Sequence, residues 1–395
     1  MMLDKHLPTQ NTGRVSVFDE LIGQDRATEV LRRAIDEGGY SMSHAWLITG
    51  PPGSGRSNAA RAFAAALQCE RGGCGGCNQC RTSLSGAHPD VTLVRTEQLS
   101  IGVDEVRDLV RRASIAPVLR RAQVIVVEDA DRVTERGADA LLKAIEEPAP
   151  KTVWLLCAPT PEDVAVTIRS RCRLLHLHTP SDEAVTQLLV RRDGIDPALA
   201  SFAARAAQGH IGRARALARS DAARIRRHEI LSLPAKLSSI TDCLTAADNL
   251  VKSAAEEAAA ATAELDAKER AELQEALGFG TKGARPRNTQ AAMKELDDQQ
   301  KARGKRLQRD ALDRVLTELT TYYRDVLALQ TADQTQLING DLVDQLTPVA
   351  KRSTPEQTLR RIDAILGART ALETNVTPLL AMEALLLALV GASRD

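Results

Sequence analysis

The chain has 395 residues, 43% of them apolar and only 2% aromatic, enough for two or three domains with cores of Ala, Leu, Val and Ile. Lys plus Arg and Asp plus Glu each number 52, so net charge selects neither a nucleic-acid nor an acidic partner, and only local charge can do so. The start, "MMLDKHLPTQNTGRV", lacks the apolar stretch of a signal peptide. The stretch "LLAMEALLLALVG" (379–391) is too short for a bilayer and carries Glu383, so a cytoplasmic chain that touches no membrane is expected.

Residues 15 to 178 alternate helical and strand patterns. "FDELIGQDRATEVLRRAI" has helical apolar spacing, "HAWLITG" (44–50) is a short apolar strand, and "RSNAARAFAAALQC" is alanine-rich helix. "DVTLVR" (90–95), "AQVIVVEDAD" (122–131) and "TVWLLCAP" (152–159) follow as strands, the last two with apolar cores that read as buried strands, the first of those as a fully buried parallel one. Between them "RGADALLKAIEEPAP" is an amphipathic helix stopped by Pro148 and Pro150. Such alternation predicts a doubly wound α/β domain with a parallel sheet over 1–178. An all-helical domain is expected over 179–238, with Ser181 as an N-cap of "SDEAVTQLLVRR". Residues 239–306 are rich in Ala, Glu, Lys and Gln and read as a helical or flexible charged insertion. Its "GFGTKGARPRN" loop places Lys282, Arg285 and Arg287 near Lys294, a contact for DNA or simply a solvated linker. Strong helical periodicity returns over 307–395, read as an all-α domain.

Three groups of residues carry chemistry. Gly50-Pro51-Pro52-Gly53-Ser54-Gly55-Arg56-Ser57 lies between a strand and a helix and matches G-x-x-x-x-G-K-[ST] except at Arg56. Gly50, Gly53 and Gly55 let backbone N–H groups turn toward phosphate, the helix N-terminus adds positive potential, and Ser57 is placed for Mg²⁺. A planar guanidinium is wider than an ammonium and does not sit at the same depth, so the loop speaks for a nucleotide-binding ancestry and against efficient ATP hydrolysis. After the strand come Glu128 and Asp129, the reverse of the Asp-Glu order in which the first acid serves the metal and the second a water. Asp129 is a methylene short for that task, and acids merely ending a strand are the alternative.

The second group is Cys69, Cys74, Cys77 and Cys80 in "CERGGCGGCNQC"; the other three of the seven cysteines are scattered. Four thiolates at this spacing close tetrahedrally on a structural Zn²⁺, with redox use of a C-x-x-C pair as the alternative. A closed four-sulfur site is not catalytic, and its binding free energy, on the order of 10 kcal/mol or more in zinc-finger peptides, would fix a module without its own core. The third group is Ser170-Arg171-Cys172 in "TIRSRC", by itself an ordinary surface arginine.

Together "FDELIGQ" (18–24), "HAWLITGPPGSGRS" (44–57), the cysteine module (69–80), "ALLKAIEEP" (140–148) and "AVTIRSRC" (165–172) resemble the clamp-loader subunits of bacterial DNA polymerase III, an AAA+ family. The likeness is to its non-motor delta-prime branch. The resemblance implies a helical lid after the α/β domain and a C-terminal collar for oligomerisation. It implies an arginine finger at Arg171, flanked by Ser170, offered to nucleotide on an adjacent subunit; such fingers are worth roughly 10³ to 10⁵ in rate. The implied partners are the gamma/tau and delta subunits, the sliding clamp and primer–template DNA. The chain would not be catalytic alone but part of a DNA-directed DNA polymerase holoenzyme. The rival reading is an ATP-hydrolysing gamma/tau-like motor or another AAA+ ATPase. Against the motor stand Arg56, the Glu128-Asp129 order, and Gly212 where the motor has a lid arginine, although Arg213 and Arg215 lie close. A zinc-stapled adaptor without any nucleotide role is the third reading.

Overall fold

The computed structural model describes residues 16–36, 42–96, 100–119, 121–277, 289–331, 336–374 and 376–391. The loop carrying Lys282, Arg285 and Arg287 lies outside them. The described residues fall into two compact units that divide after Ala218.

In the first unit a 3-10 turn at Val17–Glu20 leads to α1 (Asp25–Asp36). These are one helical pattern in the sequence, but Gly23 breaks it at φ 69°. β1 (Ala45–Thr49), α2 (Arg56–Gln68), α3 (Asn78–Ser85), β2 (Val91–Val94), α4 (Val103–Ala113), β3 (Gln123–Val127), α5 (Glu135–Glu146), β4 (Thr152–Ala158), α6 (Val166–Arg169) and β5 (Arg173–His176) follow. The strands form one five-stranded parallel sheet in the order β2-β3-β4-β1-β5, the expected α/β architecture. Every residue of β1, β3 and β4 is buried, because successive side chains serve opposite faces and both faces are covered. Trp46, Ile48, Val124, Val126, Leu155 and Cys157 join α1 and α2 on one side. Leu47, Ile125, Val127, Trp154 and Leu156 join α4 and α5 on the other. β5 is absent from the sequence reading. Its alternation of half-buried, exposed and buried residues is the mark of an edge strand, not of an apolar run.

α7 (Asp182–Arg191), α8 (Pro197–Ala207) and α9 (Ile211–Arg219) complete this unit. Ser181 caps α7 by accepting from the Ala184 N–H, as its residue type predicts.

The second unit is helical throughout its described residues: α10 (Asp221–Lys236), α11 (Ile240–Ala276), α12 (Thr289–Gln330), α13 (Val343–Arg352), α14 (Pro355–Glu373) and α15 (Pro378–Gly391). Two sequence boundaries fall elsewhere in the structure. The expected lid ran to 238, whereas α10 packs on α12 and buries Leu231 in the second unit's core. The expected insertion ended at 306, whereas α12 runs unbroken through that point. α11 and α12 lie against each other. Toward Ala276 their contact passes from apolar residues to ion pairs, with Arg303 held by Asp266 and, at 2.5 Å, Glu269, and Arg270 by Asp297 at 2.5 Å. No described helix is long and apolar enough to cross a membrane.

A buried polar knot ties α10, α12 and the turn before α13. Asp325, with no exposed surface, accepts from the backbone N–H groups of Ile338 (3.1 Å) and Asn339 (2.6 Å) and from Asn339 Nδ2 (2.9 Å). Arg227 joins from α10 through Asn339 and, at 3.1 Å, Glu318. Removing the carboxylate orphans several buried donors at once. Asp325→Ala is expected to lower stability by about 3 kcal/mol or more in a urea titration, and a loss under about 1 kcal/mol would contradict this role.

Candidate functional site

The glycine loop occupies the C-terminal edge of the sheet between β1 and α2, and its conformation leaves little room for side chains. Gly50 lies at φ 154°, and a Cβ there would stand 2.6 Å from the Leu177 carbonyl oxygen and 2.7 Å from Ser54 Oγ. Gly53 lies at φ 84°, and a Cβ would meet the His210 ring at 2.4 Å. His210, just before α9, is thus seated on the tip of the loop. Its Nδ1 accepts the Arg213 N–H at 3.3 Å, and burial, aided by the charges of Arg213 and Arg56, pushes its pKa down. Below the loop, Gln24 donates through Nε2 to the carbonyls of Ser54 (3.3 Å) and His178 (2.6 Å) and accepts the His178 N–H. One side chain therefore ties "GQ" of the entry segment to the loop and to the exit of β5. Gly23, Gln24, Asp25, Arg26, Ala27 and His178 line a cavity of about 290 Å³ beside it.

Two arginines turn inward on this cradle. Arg56, the first residue of α2, donates to the carbonyl oxygen of Gly50, so its guanidinium closes the loop on itself. Arg61, one turn later, binds Glu128 Oε1 through Nε at 2.7 Å and Nη2 at 2.6 Å. The Glu128 side chain is 7% exposed, and its charge is met by a cation of the chain itself. Asp129 begins the 3-10 turn Ala130–Arg132 after β3. The groups converge at the end of β4, where burial and the charges of Glu128 and Asp129 push the Cys157 thiol up against the opposing pull of Arg56 and Arg61. Ser57 is half-buried in the first turn of α2. On α9, Arg215 is committed to Asp193 at 2.8 Å, and Gly212 packs beside the His210 ring.

Arg171 belongs to the other end of the sheet. β5 pairs with β1 in parallel, Arg173 opposite Trp46 and His176 opposite Thr49. Gly50 follows Thr49, whereas Arg171 precedes Arg173. At about 3.3 Å per residue the strand alone separates their levels by roughly 13 Å, and Arg171 lies beyond that. The arginine and the cradle of the same chain face opposite edges. Arg171 stands at the surface, 40% exposed, with Nη1 donating to the Thr167 carbonyl (2.8 Å) and to Ser170 Oγ (3.2 Å) and Nη2 bound to Glu146 Oε1 at 2.6 Å. The next residue points the other way. Cys172 packs against the core shared by α4 and α5, and burial pushes its thiol up to about 12.

The cysteine module brings all four of its sulfurs together. The sulfurs of Cys69, Cys74, Cys77 and Cys80 lie within 4.8 Å of one another, and Cys77 Sγ is 3.7 Å from Cys69 Sγ. Four sulfurs about 2.3 Å from a tetrahedral Zn²⁺ stand about 3.8 Å apart, so the cluster has the size for a metal ion. None of the four is in a disulfide. Outer-shell donors are in place: Arg71 N and Cys74 N donate to Cys69 Sγ, Cys80 N to Cys77 Sγ, and Arg71 Nη2 to Cys74 Sγ. Burial raises the Cys69 pKa, but the N–H groups of Cys74, Gly73 and Arg71 outweigh it and bring the thiol down to about 6. The knuckle is moored to the core by Cys69 and Cys80 and by the Val17 N–H, which donates to the Gly73 carbonyl at 3.0 Å.

Sequence reasoning missed Gln24, Arg61, Glu146 and His210. Each acts through a partner distant in the chain, which no local pattern reveals.

A family described as "DNA polymerase III, delta subunit" matches residues 23–181. The delta' subunit of DNA polymerase III from Bacillus subtilis is 27% identical over 93% of this chain and 96% of its own length. That of Pseudomonas aeruginosa is 36% identical over 40% of this chain and 49% of its own. The gamma/tau subunit of Mycobacterium tuberculosis is 35% identical over 52% of this chain, and the match spans only 40% of that relative. Among solved structures, a gamma subunit-related protein of Thermotoga maritima aligns with 93% of this chain and 99% of its own, at 16% identity and a TM-score of 0.42. The matched segment holds the glycine loop, the cysteine knuckle and Arg171, and over it the chain is similar to delta' and gamma/tau subunits of DNA polymerase III, the gamma/tau match spanning less than half of that relative's length.

Proposed function

We propose that the chain is the delta-prime subunit of a clamp loader, a non-motor stator that supplies Arg171 to nucleotide held by an adjacent ATPase subunit. The observation that carries this reading is the parallel register of β5 on β1, which sets Arg171 at the edge opposite its own glycine loop. An arginine so placed serves a phosphate outside the chain. A guanidinium aimed at developing charge spreads it over several N–H donors.

The cradle's own condition supports the non-motor half. Glycine backbone and helix N-terminus suit phosphate, and Gly50, Gly53, Gly55, Arg56 and Ser57 would hold ATP with Mg²⁺ if nucleotide binds. Yet Arg56 is spent on Gly50 and Arg61 on Glu128, which leaves the acid expected to serve Mg²⁺ already neutralised. The motor reading draws on the 35% identity to gamma/tau and would need both arginines to move aside.

The four cysteines would hold a structural Zn²⁺, which ties the knuckle to α2 and α3 and performs no chemistry. The C-terminal helices would form the collar: Leu359 and Leu366 on α14 and Leu380 and Leu387 on α15 each recur after two turns and are 36–59% exposed, as an interface would require. Gamma/tau and delta subunits would be its neighbours, with the sliding clamp and primer–template DNA as the assembly's substrates.

The purified chain is expected to turn over no ATP above background; turnover abolished by Arg56→Ala would favour the motor. In a loader reconstituted with gamma/tau and delta, Arg171→Ala is expected to cut clamp- and DNA-stimulated hydrolysis at the site it serves by about tenfold or more while leaving assembly intact on gel filtration. Unchanged hydrolysis would remove Arg171 from the mechanism. Metal analysis of protein purified without chelator is expected to give about one equivalent of zinc, lost in Cys80→Ser; under about half an equivalent would count against the site.

A further inference from the structure

The "AIEEP" end of α5 is a motif to which the proposed function gives no task, and its geometry is locally unfavourable. Glu146 is the last residue of the helix, where unpaired carbonyls and the negative end of the macrodipole repel a carboxylate. Lys143 is the basic residue of that final turn, yet Glu146 turns instead to Arg171, 2.6 Å away. The backbone beneath is pinned, since His44, entering β1, donates through Nε2 to the Ile145 carbonyl at 2.7 Å. The arginine is pinned from its own side by Thr167 and Ser170. Both charged side chains stay about 40% exposed, so water and a competing anion reach the pair.

We infer that Glu146 is a latch on Arg171, holding the guanidinium until an adjacent subunit's triphosphate displaces the carboxylate. The inference rests on the finger reading of Arg171. Nη1 remains on Thr167 and Ser170, which aim the group, while Nη2 exchanges one oxyanion for another. A phosphate carries more charge than a carboxylate and completes the exchange, but the carboxylate opposes it at every encounter. Glu146 is thereby a positioning residue that tunes affinity for the neighbour's nucleotide and touches neither ATP nor the water that attacks it.

Glu146→Gln keeps size and hydrogen bonding and removes the competing charge. In the reconstituted loader, with ATP as the probe, it is expected to lower the KM for ATP about two- to fivefold with kcat unchanged, the range open to a half-exposed ion pair. The gain should shrink as salt rises, vanish in an Arg171→Ala background, and be absent in Glu146→Asp. An unchanged KM, or a fall in kcat, in a loader where Arg171→Ala still slows hydrolysis would overturn the latch and leave the finger standing. If Arg171→Ala has no effect either, finger and latch fall together. In the isolated chain, ¹⁵N signals of the Arg171 guanidinium are expected to report slow rotation that becomes fast in Glu146→Gln. Fast rotation in the wild type would also overturn the latch.

Discussion

The parallel pairing of β5 with β1 is the constraint on which the rest depends. Parallel strands carry their ends to the same edge, so whatever precedes β5 is separated from whatever follows β1 by the length of the sheet. The glycine loop follows β1 and Arg171 precedes β5. The glycine loop and Arg171 of one chain thus face opposite edges of the sheet, so under the proposed function they would serve two different nucleotides, or one that the chain does not hold. Burial of the sheet on both faces by separate apolar clusters makes this separation rigid, because a register shift would turn every side chain to the wrong layer.

Within that frame the glycine loop and Arg171 are in opposite conditions. The cradle is internally satisfied: Arg56 closes on Gly50, Arg61 on Glu128, and His210 sits over Gly53. Charges that would otherwise attract phosphate and metal answer one another instead. Arg171 keeps its charge at the surface, aimed by a backbone carbonyl and a hydroxyl and countered by one exposed carboxylate. This asymmetry is what the proposed stator role would require.

Much of this was legible in the sequence where a local pattern carries the physics. β1, β3 and β4 announced themselves as apolar runs and β2 as a shorter strand pattern, the cysteine spacing pointed to a four-sulfur cluster, and Ser181 marked the start of α7. The glycine loop's departure at Arg56 pointed to a compromised cradle, although its bond to Gly50 could not be read. β5 escaped because an edge strand buries only part of itself, and "RLLH" offers no run to recognise. Gln24, Arg61, Glu146 and His210 escaped because their meaning lies in contacts that tertiary folding creates. The places of α10 and α12 escaped for a related reason: both pack against partners that composition does not reveal.

The central claim is spatial, and a structure tests it most directly. A cryo-electron microscopy map of the assembled loader, with gamma/tau and delta subunits, sliding clamp, primed DNA and a non-hydrolysable ATP analogue, would report where the Arg171 guanidinium lies. The account predicts it within hydrogen-bonding distance of the terminal phosphate on the adjacent subunit. Finding it on Glu146, or facing solvent, with that nucleotide bound and the ring closed, would contradict the account.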